Sequence, residues 1–245
     1  MQKTRRVAPA KTSRKSQVTQ IEDYQSNVKI IKAPKPFHVQ PKNDKQDNLL
    51  AAIRHYPITV TIGCAGTGKT YCSSSMVASL FLTGKYDKII LSRANVATGK
   101  SLGHFPGTIA DKMAPWLMPI TSVLEKSFGL GFYQYLVNKG SIEIQPLETI
   151  RGRSYENSLV IVDECQNLTF EELKAITTRL GENSKMVLCG DPAQSDINSG
   201  KDILKFVHLC KKHDIDIPII EFGVDDIVRS DIVARIVRML MEEKL

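Results

Sequence analysis

The residues Gly63-Cys64-Ala65-Gly66-Thr67-Gly68-Lys69-Thr70 satisfy the spacing G-x-x-x-x-G-K-[ST]. Glycines at these positions let successive backbone N–H groups curl around phosphate oxygens, and a helix starting at the lysine adds a favourable dipole. Lys69 would then reach the β- and γ-phosphates of a nucleotide, and the Thr70 hydroxyl would ligate magnesium. The expected nucleotide contacts run from Gly63 to Tyr71. A glycine-rich turn that matches by accident is the bland alternative, and the flanks speak against it. Ile58–Ile62 reads as a buried strand and the residues after Lys69 as a helix, which is the setting the motif requires.

Two further strand ends carry polar chemistry. Leu159-Val160-Ile161-Val162 runs into Asp163-Glu164. At the carboxyl end of a parallel strand, Asp163 would hold the metal near the phosphates. Glu164 beside it would polarise a water for attack on the γ-phosphate, which implies hydrolysis rather than transfer to a bound acceptor. Met186–Cys189 leads into Gly190-Asp191-Pro192-Ala193-Gln194, where Gln194 is placed to sense the γ-phosphate or the attacking water. A Gly-Asp-Pro turn with an incidental glutamine is the competing explanation.

The elements that must position these residues alternate along the chain. Apolar runs at Ile58–Ile62, Lys88–Ser92, Ile142–Gln145, Leu159–Asp163, Met186–Gly190 and Ile217–Phe222 predict buried strands. Segments of helical period lie between them at Tyr71–Leu82, Phe170–Leu180 and Lys201–Lys211, and Asn43 is placed to cap an earlier helix carrying Leu49, Leu50 and Ile53. Strands that are apolar throughout and separated by helices predict an α/β fold with a mostly parallel sheet covered on both faces. Residues 94–140 are too long for an ordinary crossover and predict an insertion of loop and helices. The aromatic residues there serve mainly for packing, with some left to stack on bases.

Composition narrows the class. The longest apolar runs fall well short of the roughly 20 residues a membrane helix needs, and the chain starts without a signal peptide's apolar segment, so a cytoplasmic, non-membrane protein is expected. The five cysteines show no C-x-x-C pairing and read as reduced core thiols. The net charge of +7 comes from residues 1–36, where nine Lys/Arg face only Glu22 and Asp23. A basic arm over residues 1–42 joined to a neutral domain over 43–245 is suited to nucleic-acid phosphates, although a solvated tail without a partner has the same composition. Arg93, Lys100, Arg151 and Arg153 are further candidates for phosphate contact, or for pairing with acidic neighbours.

Taken in order and spacing, GCAGTGKT, VDECQN and GDPAQ resemble the core of superfamily 1 helicase-type ATPases, and more narrowly the PhoH family. The narrower likeness rests on Ile89–Arg93, on Gly103-His104-Phe105-Pro106-Gly107, on Pro146–Arg153, on Thr177–Gly181 and on Asp226–Ser230. It spans Asn43 to the C-terminus and departs from the family pattern at Ala94 and Cys165. The resemblance implies a three-layer RecA-like P-loop NTPase fold, magnesium-dependent ATP hydrolysis and work on RNA or single-stranded nucleic acid, including helicase activity. It also implies that Gln46 reads the adenine, that Arg229 is an arginine finger, and that copies assemble, as a hexamer. Two other functions fit a triphosphate loop: a P-loop kinase, and a scaffold whose assembly ATP gates. The water-polarising pair Asp163-Glu164 and the Gln194 loop weigh against both.

Overall fold

The computed structural model describes residues 32–94, 112–147, 153–195 and 200–243. Its first described helix, α1 (Asp44–His55), starts where a cap is available: Asn43 Oδ1 accepts from the Gln46 N–H at 2.9 Å. That satisfies one of the donors a helix start leaves open. The same side chain donates from Nδ2 to the Asp226 carbonyl at 3.2 Å and so ties α1 to a distant turn. Asn43→Ala should therefore cost about 1 kcal/mol and lower Tm by about 2–4 °C in a thermal melt. An unchanged Tm would mean that the helix start is held by other contacts.

The apolar runs form strands β1 (Ile58–Gly63), β2 (Lys88–Arg93), β3 (Ile142–Ile144), β4 (Ser158–Asp163), β5 (Lys185–Gly190) and β6 (Ile219–Phe222). They make one sheet in the order β3-β2-β4-β5-β1-β6, and every pairing is parallel. Side chains alternate between its faces. Ile89, Leu91, Leu159, Ile161 and Val187 enter one apolar cluster, while Ile90, Val160, Val162, Met186 and Leu188 enter another. Helices α1, α2 (Lys69–Phe81), α3 (Met118–Phe128) and α4 (Leu130–Asn138) supply Leu49, Met76, Leu124 and Leu136 to the first cluster. Helices α5 (Phe170–Thr177) and α6 (Gly200–Lys212) supply Leu173 and Ile203 to the second. The result is three layers, helix on sheet on helix, within the unit Ala33–Leu245.

The described part of the expected insertion consists of a 3-10 turn at Ala114–Leu117 followed by α3 and α4, with α3 packed beside α2. Phe128 is buried there against Phe81 and Phe132 in edge-on contacts, so it serves packing, whereas Trp116 and Tyr135 remain exposed. Most element boundaries shift by a residue or two from the sequence reading, and the ends of α5 and β6 show why. α5 stops at Thr177 because the following turn returns to the sheet side: Tyr155 N donates to the Arg179 carbonyl at 2.8 Å and Gly181 N to the Tyr155 carbonyl at 2.7 Å. β6 begins at Ile219, two residues later than the apolar run. The last described helix, α7 (Asp231–Glu242), leaves Ile232, Ile236 and Met239 exposed. All five cysteines are buried and none is in a disulfide, and among the described residues no helix is long and apolar enough to cross a membrane.

Candidate functional site

β1 ends at Gly63, whose φ of 127° lies in the region that only glycine adopts comfortably. The chain must turn sharply there because β6 lies alongside: a Cβ on Gly63 would sit 2.0 Å from the Phe222 carbonyl oxygen. Gly66 and Gly68 also take positive φ, of 82° and 86°. Gly68 then opens α2 without any side-chain cap, so the helix's first N–H groups face the loop instead of a capping oxygen. This is the arrangement that binds a phosphate anion. Thr67 closes the loop from within, its Oγ1 donating to the Cys64 carbonyl at 2.9 Å.

The loop lines a cavity of about 490 Å³ together with Tyr71, Arg93, Asp163, Glu164, Asp191, Gln194 and Arg229. Strand order explains the gathering. β1, β5 and β4 are consecutive in the sheet, so their carboxyl ends deliver the loop, the Asp191 turn and the acidic pair to one edge.

Lys69 is 8% exposed, and its Nζ donates to the carbonyls of Gly63 at 2.6 Å and Cys64 at 2.7 Å. Burial pushes its ammonium below the ordinary lysine value, with the negative charge of Asp191 pulling the other way. A phosphate anion in the loop would replace those neutral acceptors with a charged one.

Asp163 is 5% exposed and accepts from Thr70 Oγ1 at 3.4 Å. Burial, and then the adjacent Glu164 charge, push its carboxyl above the usual carboxylate range, against the opposing effect of Arg93. The oxygen donors Thr70 and Asp163 are hard ligands. Among the described residues no three His, Cys, Asp or Glu side chains converge as a metal cage. A hydroxyl and one carboxylate, with the remaining positions left to phosphate and water, is how proteins hold magnesium beside a nucleotide. The residues therefore fit that ion, which Thr70 and Asp163 would hold.

Glu164 follows with φ 51°, ψ 39°, an uncommon left-handed backbone for a side chain of this size. Its carboxylate is engaged on both oxygens: Arg93 Nη2 donates to Oε1 at 3.2 Å and Gln166 Nε2 to Oε2 at 2.6 Å. Gln166 Oε1 in turn accepts from the Asp191 N–H at 3.0 Å. Asp191 caps the Pro192–Gln194 turn through Ala193 N at 3.2 Å, so one amide side chain links the acidic pair to the turn bearing Gln194. Burial raises the Asp191 carboxyl, while Lys69 and the Ala193 and Ala65 N–H groups lower it.

The remaining sequence-derived candidates take varied positions. Gln46 lies behind the loop, 3% exposed, donating to the Thr67 carbonyl at 2.9 Å and accepting from Lys42 N at 2.8 Å. It does not line the cavity. Arg229 lies over the loop of its own chain, so close that a Cβ on Gly66 would come 3.2 Å from its Cδ, and Val228 N donates to the Gly66 carbonyl at 3.1 Å. Asp225, a possible ion-pair partner for Arg229, instead bonds Arg238 at 2.8 Å, and Asp226 accepts from Gly223 N. Arg93, a candidate for nucleic-acid phosphate or for an acidic neighbour, is in the cavity against the acids. Arg153 is exposed and pairs with Glu143, which also bonds Lys88. Lys100 and Arg151 lie outside the described residues, as does the Gly103–Gly107 motif. Gln166 and Asp191 were not singled out from sequence. The only signal was proximity, Gln166 lying two residues after Glu164 and Asp191 inside the Gly-Asp-Pro turn.

A family model described as PhoH-like protein matches residues 38–241. The chain is 37% identical over 209 residues to the PhoH-like protein of Bacillus subtilis (strain 168), covering 85% of this chain and 66% of that one. It is 36% identical over 201 residues to Protein PhoH of Escherichia coli (strain K12), covering 79% of this chain and 56% of that one. The chain thus spans somewhat under two thirds of the length of these relatives. Among solved structures, the large terminase from a thermophilic bacteriophage superposes with a TM-score of 0.51 at 14% identity, over 82% of this chain and 50% of that one. That likeness is one of fold, the RecA-like fold of P-loop ATPases. The chain belongs to the PhoH family.

Proposed function

We propose that this PhoH-family domain hydrolyses ATP with magnesium, in association with RNA or another single-stranded nucleic acid. The observation that carries the hydrolytic half is the Glu164 carboxylate, held by Arg93 and Gln166 in the cavity that Lys69 and Thr70 also line. The uncapped start of α2 and Lys69 would bind the β- and γ-phosphates, Lys69 exchanging the Gly63 and Cys64 carbonyls for phosphate oxygen. Thr70 and Asp163 would hold magnesium, which neutralises phosphate charge when bound. Glu164 would orient a water toward the γ-phosphate and take its proton, while Gln194 and Arg229, at the same cavity, would contact the transferring group. Tyr71, 51% exposed beside the loop, offers a flat face to the base. Gln46 would act on the base indirectly, by fixing Thr67.

Association with nucleic acid rests on charge, the whole net +7 lying in residues 1–36. The exposed apolar stripe Ile232, Ile236 and Met239 on α7 favours assembly of copies, for which a hexamer is the expected form. A kinase would need a second acceptor pocket shielded from water, and the clamped glutamate serves water activation instead.

Steady-state ATP hydrolysis by sized protein, with and without single-stranded RNA or DNA at two salt concentrations, tests this reading. Hydrolysis stimulated by nucleic acid, with stimulation falling as salt rises, is the expected result. Hydrolysis that ignores nucleic acid would leave an ATPase and remove the nucleic-acid half. No hydrolysis under any condition would remove the whole reading.

A further inference from the structure

Sheet register, not a loop excursion, brings Arg93 to the acidic pair. It is the last residue of β2, and its partner across the parallel ladder is Asp163. Its Nη2 donates to Glu164 Oε1 at 3.2 Å, and Nη1 lies 3.7 Å from Asp163 Oδ2. Nη1 also donates to the Trp116 carbonyl at 2.6 Å, in the 3-10 turn that leads into α3. One planar guanidinium thus joins the reacting acids to the inserted segment, which an ammonium with its point charge cannot do in the same geometry.

We propose that Arg93 is a positioning residue that holds Glu164 in its working orientation, and that the Trp116 turn sets that orientation through it. The inference rests on the reading of Glu164 as the group that polarises the attacking water. Because Glu164 Oε2 is fixed by Gln166, the Arg93 bond to Oε1 decides whether the carboxylate is held at two points or swings about one. A shift of the Trp116 turn would release Arg93 and loosen the carboxylate, so the position of the turn is read at the site without touching nucleotide. Contact between Arg93 and a nucleic-acid phosphate would require the guanidinium to leave both acids.

The test compares Arg93→Gln, Arg93→Lys, Glu164→Gln and the Arg93→Gln/Glu164→Gln double variant, measuring kcat, affinity for a fluorescent ATP analogue, thermal melting and acrylamide quenching of Trp116. Trp116 is the chain's single tryptophan. Arg93→Gln should lower kcat by about 10- to 100-fold with nucleotide affinity unchanged, and Arg93→Lys should recover part of the loss. In the Glu164→Gln background the Arg93 change should add nothing further, since the carboxylate through which it acts is gone. Quenching of Trp116 should rise in Arg93→Gln.

An equal further loss in the double variant would overturn the inference, because Arg93 would then act independently of Glu164. Normal basal kcat with lost nucleic-acid stimulation would make Arg93 a phosphate contact instead. A fall in melting temperature with affinity and kcat declining together would reduce it to a structural residue, and unchanged quenching would remove the link to the turn. Normal turnover in Glu164→Gln sinks the reading beneath the inference; an inactive Glu164→Gln beside an active Arg93→Gln sinks the inference alone.

Discussion

Glu164→Gln should bind ATP as the unmodified protein does and turn it over about 10²- to 10⁴-fold more slowly. The amide keeps the size of the side chain and an oxygen that can accept from Arg93, so the cavity wall is retained. It cannot take a proton from water, so only the step that needs a base is lost. A kcat effect without a binding effect is the signature of an interaction made in the transition state alone. Single-turnover hydrolysis and equilibrium nucleotide binding, measured on the same preparation, separate the two. Turnover within about tenfold of normal would move the role to another acid, and Asp191 is the cavity carboxylate left once Asp163 is assigned to the metal.

Gly63→Ala should be the most damaging added methyl among the described glycines. The added Cβ would lie 2.0 Å from the Phe222 carbonyl oxygen, and the positive φ of 127° is one that alanine strongly resists. Relief requires separating β1 from β6 at the Gly63–Phe222 pair, where Cys64 N also donates to the Phe222 carbonyl at 3.3 Å. Strain of this kind combined with a lost strand contact should cost about 4 kcal/mol or more. For a domain of this size that lowers Tm by about 8–16 °C. The loop opens at the same residue, so nucleotide binding should fall with stability. A variant melting within about 3 °C of the parent would show that β6 yields easily and that the turn has another solution.

The six strands and the triphosphate loop were legible because their signals are local. Buried parallel strands announce themselves as continuous apolar runs, and a loop that binds phosphate through its own backbone needs glycines at fixed spacing. The edges of elements were less legible. α5 ends at Thr177 rather than Leu180 because Tyr155, more than twenty residues upstream, captures the backbone of Arg179 and Gly181. No pattern within residues 170–180 encodes that competition.

Side-chain partnerships across the site were the least legible. Arg93 has the sequence context of any exposed strand-end arginine, and pairing with phosphate or with an acid suited it equally. Only the adjacency of β2 and β4, in a register that sets Arg93 opposite Asp163, brings it to the acidic pair. Gln46, which the family resemblance assigns to the adenine, has its amide buried on Thr67 by the packing of α1 against the loop. Arg229 reaches the loop because Val228 N bonds Gly66 across more than 160 residues of chain.

The sequence by itself determined that this chain is an α/β domain with a triphosphate loop, an acidic strand end and a glutamine turn, since each depends on residues within a few positions of one another. The tertiary structure alone decided which of these meet, and with whom: strand order and register are properties of the whole sheet, and they place a guanidinium and an amide, Arg93 and Gln166, on the two oxygens of Glu164.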